Sequence, residues 1–200
     1  TIAAAEHTIA MMLALSRNIP IANNSTFSGK WERKKFVGNE LFKKKLGVVG
    51  LGKIGTHVAK VANALGMDVY GYDPFVSTER AQQLQVKLSE LEILFAESDY
   101  VTLHLPRTSE TENLVDMKVL KSMKNNAKLI NCARGGIIDE EALAEALNNS
   151  LIGGAAIDVF SKEPLDLNSP LLKVSKNLIL TPHLGASTRE AQENVAADVA

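Results

Sequence analysis

The chain has 200 residues, of which 46% are hydrophobic and 22% are charged, a composition typical of globular domains and unlike that of disordered or fibrous proteins. The formal net charge of -1 excludes a whole-chain electrostatic attraction to nucleic acid or to an anionic membrane surface. A single cysteine, Cys132, excludes an internal disulfide and favours a reducing compartment, so we expect a cytoplasmic protein, with an organelle interior as the alternative.

The first segment, "TIAAAEHTIAMMLALSRNIP", is apolar, but Glu6 and His7 interrupt it and leave too short a run to span a bilayer. We expect a buried helix over Thr1–Ile19 and then a polar, basic connector over 23–45. The chain has no initiating methionine, and its last segment, "REAQENVAADVA", is expected to stop within a helix. These features predict a fragment of a longer protein.

Short apolar runs follow the connector, and most of them are separated by helical patterns. Apolar runs without alternation suit parallel strands that are covered on both faces. The repeated order of strand, helix and strand predicts an α/β fold with a doubly wound parallel sheet and helices on both of its faces. The predicted strands are "KLGVVG" (45–50), "DVYGY" (68–72), "YVTLHL" (100–105), "AKLINC" (127–132), "GGAAIDV" (153–159) and "NLILT" (177–181).

Start and stop signals indicate where several helices begin and end. "KIGTHVAKVANALG" carries an apolar stripe and ends at Gly66, a residue type that commonly terminates helices. Ser89–Glu92 and Ser187–Glu190 each have the spacing of a capping box. "DEEALAEALNN" is predicted to form a helix beginning near Asp139.

The segment "VVGLGKIG" holds Gly50, Gly52 and Gly55 in the order G-x-G-x-x-G, directly after a predicted strand and at the start of a predicted helix. Gly50 would permit a tight turn, Gly52 would let the backbone approach a pyrophosphate, and Gly55 would let helix and strand pack closely. Lys53 and Ile54 complete this loop, where the amide groups of a helix N-terminus attract anions. The pattern predicts a Rossmann-type dinucleotide site, and the alternative is a purely structural glycine turn.

Asp73 directly follows the second predicted strand, about 20 residues beyond the glycine loop. A carboxylate at this position can accept hydrogen bonds from the adenosine ribose hydroxyls and would repel a 2′-phosphate. No arginine follows it immediately, since "YDPF" continues with proline and phenylalanine. The sequence therefore favours NAD over NADP, and an unrelated surface aspartate is the alternative.

The carboxyl ends of parallel strands meet at one edge of a sheet, and ligands bind in the crevice outside that edge. The residues that follow each predicted strand are therefore expected to lie close together. An arginine, a glutamate and a histidine converge in this way beside the predicted dinucleotide. The residues so placed are His104, Leu105 and Pro106, then Cys132, Ala133 and Arg134, then Asp158 and Glu163, and finally His183, Gly185 and Ala186.

The charged members of this set also have structural interpretations. Arg134 could cap a helix or pair with Asp139. Glu163 could be a solvated loop charge, and Asp158 could cap a turn. His183 alone could equally be a surface residue or a satisfied core histidine.

Other residues are similarly open to two interpretations. Cys132 is expected to be a small buried residue rather than a nucleophile, and His104 could either contact the cofactor or only pack. The basic run "KWERKKF" at 30–36 is most simply a solvated connector, although it could reach a phosphate group. No metal-ligand spacing is found among the histidines and the cysteine, so no metal is expected.

The chain resembles the NAD-binding domain of the D-isomer-specific 2-hydroxyacid dehydrogenases over essentially all of its 200 residues. "GLGKIG", "NCARGGIIDEEAL", "GAAIDVFSKEP" and "TPHLGAST" match the signatures of the family in order and spacing. The last of these, together with "GKWERKKF", points to the phosphoglycerate branch of the family. The resemblance implies an NAD-dependent oxidoreductase that acts on the CH–OH group of a D-2-hydroxy acid.

The resemblance also implies roles for matching residues. Arg134 would hold the substrate carboxylate and polarise its carbonyl, with a bidentate geometry that lysine cannot reproduce. His183 would be the general acid and base, and Glu163 would orient its ring and favour its charged form. Asp158 would contact the nicotinamide carboxamide, while Cys132 and Ala133 would line the cofactor site.

The family implies a further, substrate-binding domain built from chain beyond both ends of this fragment. Residues 1–200 would then be the NAD-binding domain, and the helix over 1–19 would cross between domains and help to form a homodimer or higher oligomer. The resemblance implies a small 2-hydroxy acid as the partner, and we expect neither a nucleic acid nor a membrane partner. Two alternatives stay open, another dehydrogenase such as a glyoxylate or hydroxypyruvate reductase, and a nucleotide-sensing scaffold like the corepressors that share this fold.

Overall fold

The protein forms one parallel β-sheet of seven strands in a computed structural model, which describes residues 2–193. The spatial order is β3-β2-β1-β4-β5-β6-β7, and every neighbouring pair is parallel. The direction of winding reverses between β1 and β4, which confirms the predicted doubly wound sheet. The strands are β1 (Lys45–Val49), β2 (Asp68–Tyr72), β3 (Lys87–Leu88), β4 (Tyr100–Leu103), β5 (Lys128–Asn131), β6 (Gly154–Ile157) and β7 (Leu178–Leu180).

Helices cover both faces of the sheet and bury two separate apolar cores. On one face Ala5 and Met12 pack with Val58 and Ala62 against strand residues such as Val48. The other core includes buried leucines from three further helices: Leu94, Leu120 and Leu143. The helices are α1 (Ile2–Ser16), α2 (Ile19–Phe27), α3 (Lys53–Ala64), α4 (Thr78–Gln83), α5 (Leu91–Glu97), α6 (Met117–Ser122) and α7 (Glu140–Asn148), with 3₁₀ turns at Arg33–Phe36 and Pro170–Lys173.

The N-terminal segment is two helices, so the prediction of one helix over Thr1–Ile19 is wrong at its C-terminal end. The helix α1 ends at Ser16, and Asn18 adopts a left-handed conformation with φ 56° that stops the helical path. Pro20 lies in the first turn of α2, where its missing N–H costs no hydrogen bond. The predicted connector therefore begins later than residue 23, after Phe27.

One predicted helix cap is confirmed by the structure, and two predicted capping boxes are wrong. The side chain of Asp139 accepts hydrogen bonds from the N–H groups of Glu141 and Ala142, as predicted. The capping box at Ser89 is wrong, since the Ser89 hydroxyl donates to the carbonyl of Glu90 and α5 has no side-chain cap. The box at Ser187 is wrong by one residue, because Thr188 accepts the N–H of Ala191.

The helical prediction for the last segment extends beyond the described residues from 194 onward. Within 2–193, no helix combines the length and hydrophobicity that crossing a membrane requires.

Candidate active site

The glycine loop joins β1 to α3 at the point where the sheet changes its direction of winding. Gly50 has φ 96°, a left-handed conformation that favours glycine, and a side chain there would overlap the carbonyl oxygen of His104. A side chain at Gly55 would overlap the carbonyl oxygen of Gly50, so this glycine allows α3 to start close to the strand. A Cβ at Gly52 would meet no other atom within 4 Å. Of the three glycines in this loop, Gly52 alone faces open space, the position in which a phosphate could approach the backbone.

Asp73 holds the glycine loop from the end of β2. One of its carboxylate oxygens accepts the N–H of Leu51 at 2.8 Å, and the other accepts the N–H of Phe75 at 2.9 Å. The side chain is half-buried, so lone pairs remain available toward the solvent side. The predicted ribose carboxylate thus lies directly beside the predicted pyrophosphate loop.

The end of β4 packs against the same loop. His104 is half-buried, its Nε2 lies 2.9 Å from the Thr102 hydroxyl, and its Nδ1 is buried without a hydrogen-bond partner among residues 2–193. Burial lowers the pKa of His104 from its ordinary 6.5 to about 4, so the ring is neutral near pH 7. Leu105 is half-buried beside Gly50, and Pro106 is exposed. These three residues lie at the loop, and their contact with a cofactor stays a prediction.

His104 is expected to make the protein less stable in mild acid. In the unfolded chain the imidazole gains its proton near pH 6.5, whereas in the folded chain it stays neutral down to about pH 4. The unfolded state binds more protons in this window, so the free energy of unfolding falls as pH decreases, by up to about 1.4 kcal/mol per pH unit. His104→Gln should flatten this slope in chemical denaturation measured at a series of pH values. An unchanged slope would show that another group causes the acid sensitivity.

The turn after β5 carries Cys132, Ala133 and Arg134. The buried Asn131 side chain braces this turn by accepting the N–H of Ala133 and donating to the carbonyl of Arg134. Burial raises the pKa of the Cys132 thiol to about 12, which fits a structural residue rather than a nucleophile. Arg134 is exposed, donates to the carbonyl of Ala133 at 2.6 Å, and has no ion-pair partner among the described residues. Its guanidinium is free to receive a carboxylate.

Asp158 follows β6 and organises the turn that carries the histidine. Its fully buried carboxylate accepts the Thr181 hydroxyl at 2.6 Å and the N–H groups of Leu184 and Gly185 at 2.8 and 2.9 Å. These bonds match the turn-capping interpretation of Asp158. The predicted contact with a nicotinamide carboxamide stays a prediction, and both oxygens already accept hydrogen bonds within the chain.

His183 and Glu163 form a direct pair. The His183 Nδ1 lies 2.6 Å from the Glu163 Oε2, and the other carboxylate oxygen accepts the N–H of Phe160 at 3.0 Å. Burial raises the pKa of Glu163, but the hydrogen bonds from His183 and Phe160 outweigh it and hold that pKa below its ordinary value. Glu163 is therefore ionised at neutral pH and accepts a hydrogen bond from the Nδ1–H of His183, which leaves Nε2 of the ring for a substrate.

The backbone of His183 is also unusual. Its φ is 54°, in the left-handed region that few non-glycine residues occupy, and its N–H donates to the carbonyl of Asp158 at 2.9 Å. Such conformations persist where surrounding contacts enforce them, and they concentrate at functional sites. The proline, histidine and glycine of "TPHLG" thus form a tight turn that presents an imidazole at the edge of the sheet. Gly185 is buried in this turn and Ala186 is exposed beyond it.

One cluster was not predicted from sequence spacing. The Nε2 of His7, the Sγ of Cys132 and a carboxylate oxygen of Asp158 all lie within 4.8 Å of one another. The raised pKa of the thiol opposes its ionisation, and the Asp158 oxygens are already hydrogen-bonded. The cluster is therefore better described as a group of packed polar side chains than as a metal centre.

The comparisons with known proteins agree with this geometry. A family model described as D-isomer specific 2-hydroxyacid dehydrogenase, NAD binding domain, matches residues 9–185. The D-3-phosphoglycerate dehydrogenase of Synechocystis sp. is 60% identical over 100% of this chain and 36% of its own length. That of Archaeoglobus fulgidus is 52% identical over 100% of this chain and 38% of its own length.

Solved structures show the same similarity. The crystal structure of a D-lactate dehydrogenase from Aquifex aeolicus, complexed with NAD and lactic acid, has a TM-score of 0.90 and 30% identity, and the match covers 98% of this chain and 63% of that one. The chain thus spans between a third and two fifths of the length of the curated relatives named above.

Proposed function

The chain belongs to the NAD-binding domain family of the D-isomer specific 2-hydroxyacid dehydrogenases. We propose that it is the cofactor-binding part of a protein that oxidises 3-phospho-D-glycerate to 3-phosphohydroxypyruvate with NAD. That reaction is the first step of serine biosynthesis. The observation that carries the chemistry is the 2.6 Å contact between His183 Nδ1 and Glu163 Oε2. The choice of acid is supported by the names of relatives at 60% and 52% identity.

The cofactor proposed is NAD, lying across the edge of the sheet at the end of β1. Its pyrophosphate would meet the backbone at Gly52 and the start of α3, and Asp73 would accept hydrogen bonds from the ribose hydroxyls. The side chains expected along the rest of the cofactor are those of the turns after β4, β5, β6 and β7. The full set is Gly50, Gly52, Lys53, Ile54, Gly55, Asp73, His104, Leu105, Pro106, Cys132, Ala133, Arg134, Asp158, His183, Gly185 and Ala186.

The catalytic residues proposed are Arg134, Glu163 and His183. When bound, NAD would supply the acceptor for the hydride that leaves the carbon bearing the hydroxyl. The guanidinium of Arg134 would bind the substrate carboxylate and polarise the forming carbonyl. The free Nε2 of His183 would take the hydroxyl proton, and ionised Glu163 would stabilise the imidazolium that results. In the reverse direction the same Nε2 would return the proton.

The whole protein is proposed to be a cytoplasmic homodimer or higher oligomer, with this chain as its cofactor domain. Large apolar side chains on and after α2 support an interface, since Ile21, Phe27 and Trp31 are 51%, 87% and 81% exposed. A substrate-binding domain would come from the chain that the longer relatives have in addition. The N-terminal segment that includes α1 would link the two domains.

The proposal is tested by adding 3-phospho-D-glycerate, glycerate, lactate and formate to the full-length protein with NAD or NADP. We expect NADH formation at an ordinary enzymatic rate with the phosphorylated acid, and a strong preference for NAD. Residues 1–200 alone should bind NADH and turn over poorly or not at all. Cofactor binding without turnover of any 2-hydroxy acid would favour a nucleotide-sensing scaffold, and preference for another acid would favour another dehydrogenase.

The basic 3₁₀ turn Arg33–Phe36 is proposed to contribute to binding of the substrate phosphate. Lys34 and Lys35 are exposed there, next to Arg33. Replacing both lysines by alanine in the full-length protein should raise KM for the phosphorylated acid several-fold, because phosphate attraction is lost, with little change in kcat. The matched control is Lys118→Ala with Lys121→Ala on α6, which removes the same charge elsewhere. An unchanged KM for the phosphorylated acid would contradict a role of these lysines in binding the phosphate.

A further inference from the structure

His7 contacts the buried carboxylate that organises the active-site turn, although it lies near the other end of the chain. Its Nε2 is 3.2 Å from Asp158 Oδ1 and 3.4 Å from the Thr181 hydroxyl oxygen. The side chain of His7 is only 19% exposed, and that of Asp158 is fully buried. The imidazole therefore lies against a carboxylate that water does not reach, and its Nε2 is hydrogen-bonded to the Thr181 hydroxyl.

Asp158 connects His7 to the proposed acid and base. Through its side chain it binds the N–H groups of Leu184 and Gly185, and through its carbonyl it binds the N–H of His183. Those bonds hold both sides of the turn whose φ at His183 is 54°. Any shift of the Asp158 carboxylate would thus be transmitted to the imidazole ring of His183.

The beginning of α1 is close to this turn independently of His7. A Cβ added at Gly185 would lie 3.8 Å from the Cβ of Ala4 and 3.8 Å from the carbonyl oxygen of Cys132. The helix α1 therefore lies against the turn after β7 and close to the turn after β5. The first turns of α1 therefore lie near both turns that carry proposed catalytic residues, Arg134 after β5 and His183 after β7.

We propose that His7 is a positioning residue, which fixes the Asp158 carboxylate and thereby the orientation of His183 toward the bound nicotinamide and acid. This inference rests on the proposed function for its kinetic consequences, but its effect on cofactor binding can be measured without turnover. Removing the imidazole leaves the Thr181 hydroxyl without its hydrogen bond from His7 and the buried Asp158 carboxylate without a polar neighbour, which shifts or loosens the turn. The polar contact of Nε2 with Thr181 and Asp158 matters here, and the size of the side chain does not.

The test compares His7→Met with His7→Gln in the full-length protein. Glutamine supplies an N–H donor at a similar reach, whereas methionine has similar length and no donor. We expect His7→Met to lower kcat roughly tenfold with a much smaller change in KM for the acid, and to weaken NADH binding. His7→Gln should keep at least half of the wild-type kcat. His57→Met and His57→Gln, on α3, are the matched controls and should leave kcat unchanged.

The outcomes separate this inference from the proposed function. If wild type turns over and both His7 variants match it, His7 has no positioning role. Equal losses of kcat in His7→Met and His7→Gln also contradict the role, because the N–H donor of glutamine should restore most of the wild-type kcat. If His7→Met does not fold, His7→Gln decides alone, and a tenfold loss of its kcat contradicts the inference. If wild type oxidises no hydroxy acid, the proposed function fails, and the dissociation constant of NADH alone tests His7 by the same comparison.

Discussion

His183→Gln is expected to lower kcat of the full-length protein by roughly a hundredfold to ten-thousandfold, the usual contribution of a positioned general acid or base. Glutamine can still donate to the Glu163 carboxylate, but it has no nitrogen that gains and loses a proton at neutral pH. The Nδ1 contact to Glu163 at 2.6 Å leaves Nε2 as the only ring atom for that proton. Initial rates in both directions, with saturating cofactor, measure the loss.

The same variant should bind NADH with an affinity close to that of wild type, since the glycine loop is untouched. His57→Gln is the matched control, because it replaces a half-buried helical histidine outside the proposed site and should retain full activity. A His183→Gln protein with more than a tenth of wild-type kcat would mean that another group moves the proton.

Gly52→Ala is expected to weaken NADH binding roughly tenfold to a hundredfold while leaving the stability of the chain unchanged. The added methyl group meets no atom of the chain within 4 Å, so the free energy of unfolding should not change. It would instead occupy the space in which a pyrophosphate approaches the backbone, and overlap of this kind costs about 1–3 kcal/mol. A fluorescence titration with NADH and a thermal melting curve measure the two effects separately.

Gly55→Ala provides the contrast to this variant. Its methyl group would overlap the carbonyl oxygen of Gly50, so this protein should lose both thermal stability and NADH affinity. Wild-type affinity in Gly52→Ala would show that no phosphate lies against this loop.

Six of the seven strands and the glycine loop could be predicted because their signals are local, whereas the two-residue, exposed edge strand β3 was not predicted. The strands β1, β4, β5 and β6 are buried along nearly their whole length, as apolar runs predict, whereas β2 alternates and β7 is half-buried. Gly50 and Gly55 each occupy a position where a side chain would overlap the backbone, as their spacing predicts. The doubly wound topology and the family are confirmed. The convergence of Glu163 and His183 could also be predicted, because both follow parallel strands and parallel strands share one edge.

Contacts between distant segments could not be predicted in the same way. Nothing in "AAAEHTIA" indicates that His7 meets Asp158, because the contact depends on how α1 crosses the sheet. The sequence also indicated no role for Thr181 and Asn131, whose side chains form hydrogen bonds that brace the turns after β7 and β5. The capping error at Ser187 has a local cause, since Thr188 is an equally good cap one residue later.

The position of the nicotinamide ring tests the central claim most directly, and a crystal structure of the full-length protein with NADH would measure it. We expect the pyrophosphate against Gly52 and the ring at the same edge of the sheet, facing the space between the Arg134 guanidinium and the Nε2 of His183. A ring bound elsewhere, with His183 and Glu163 out of its reach, would contradict the proposed chemistry.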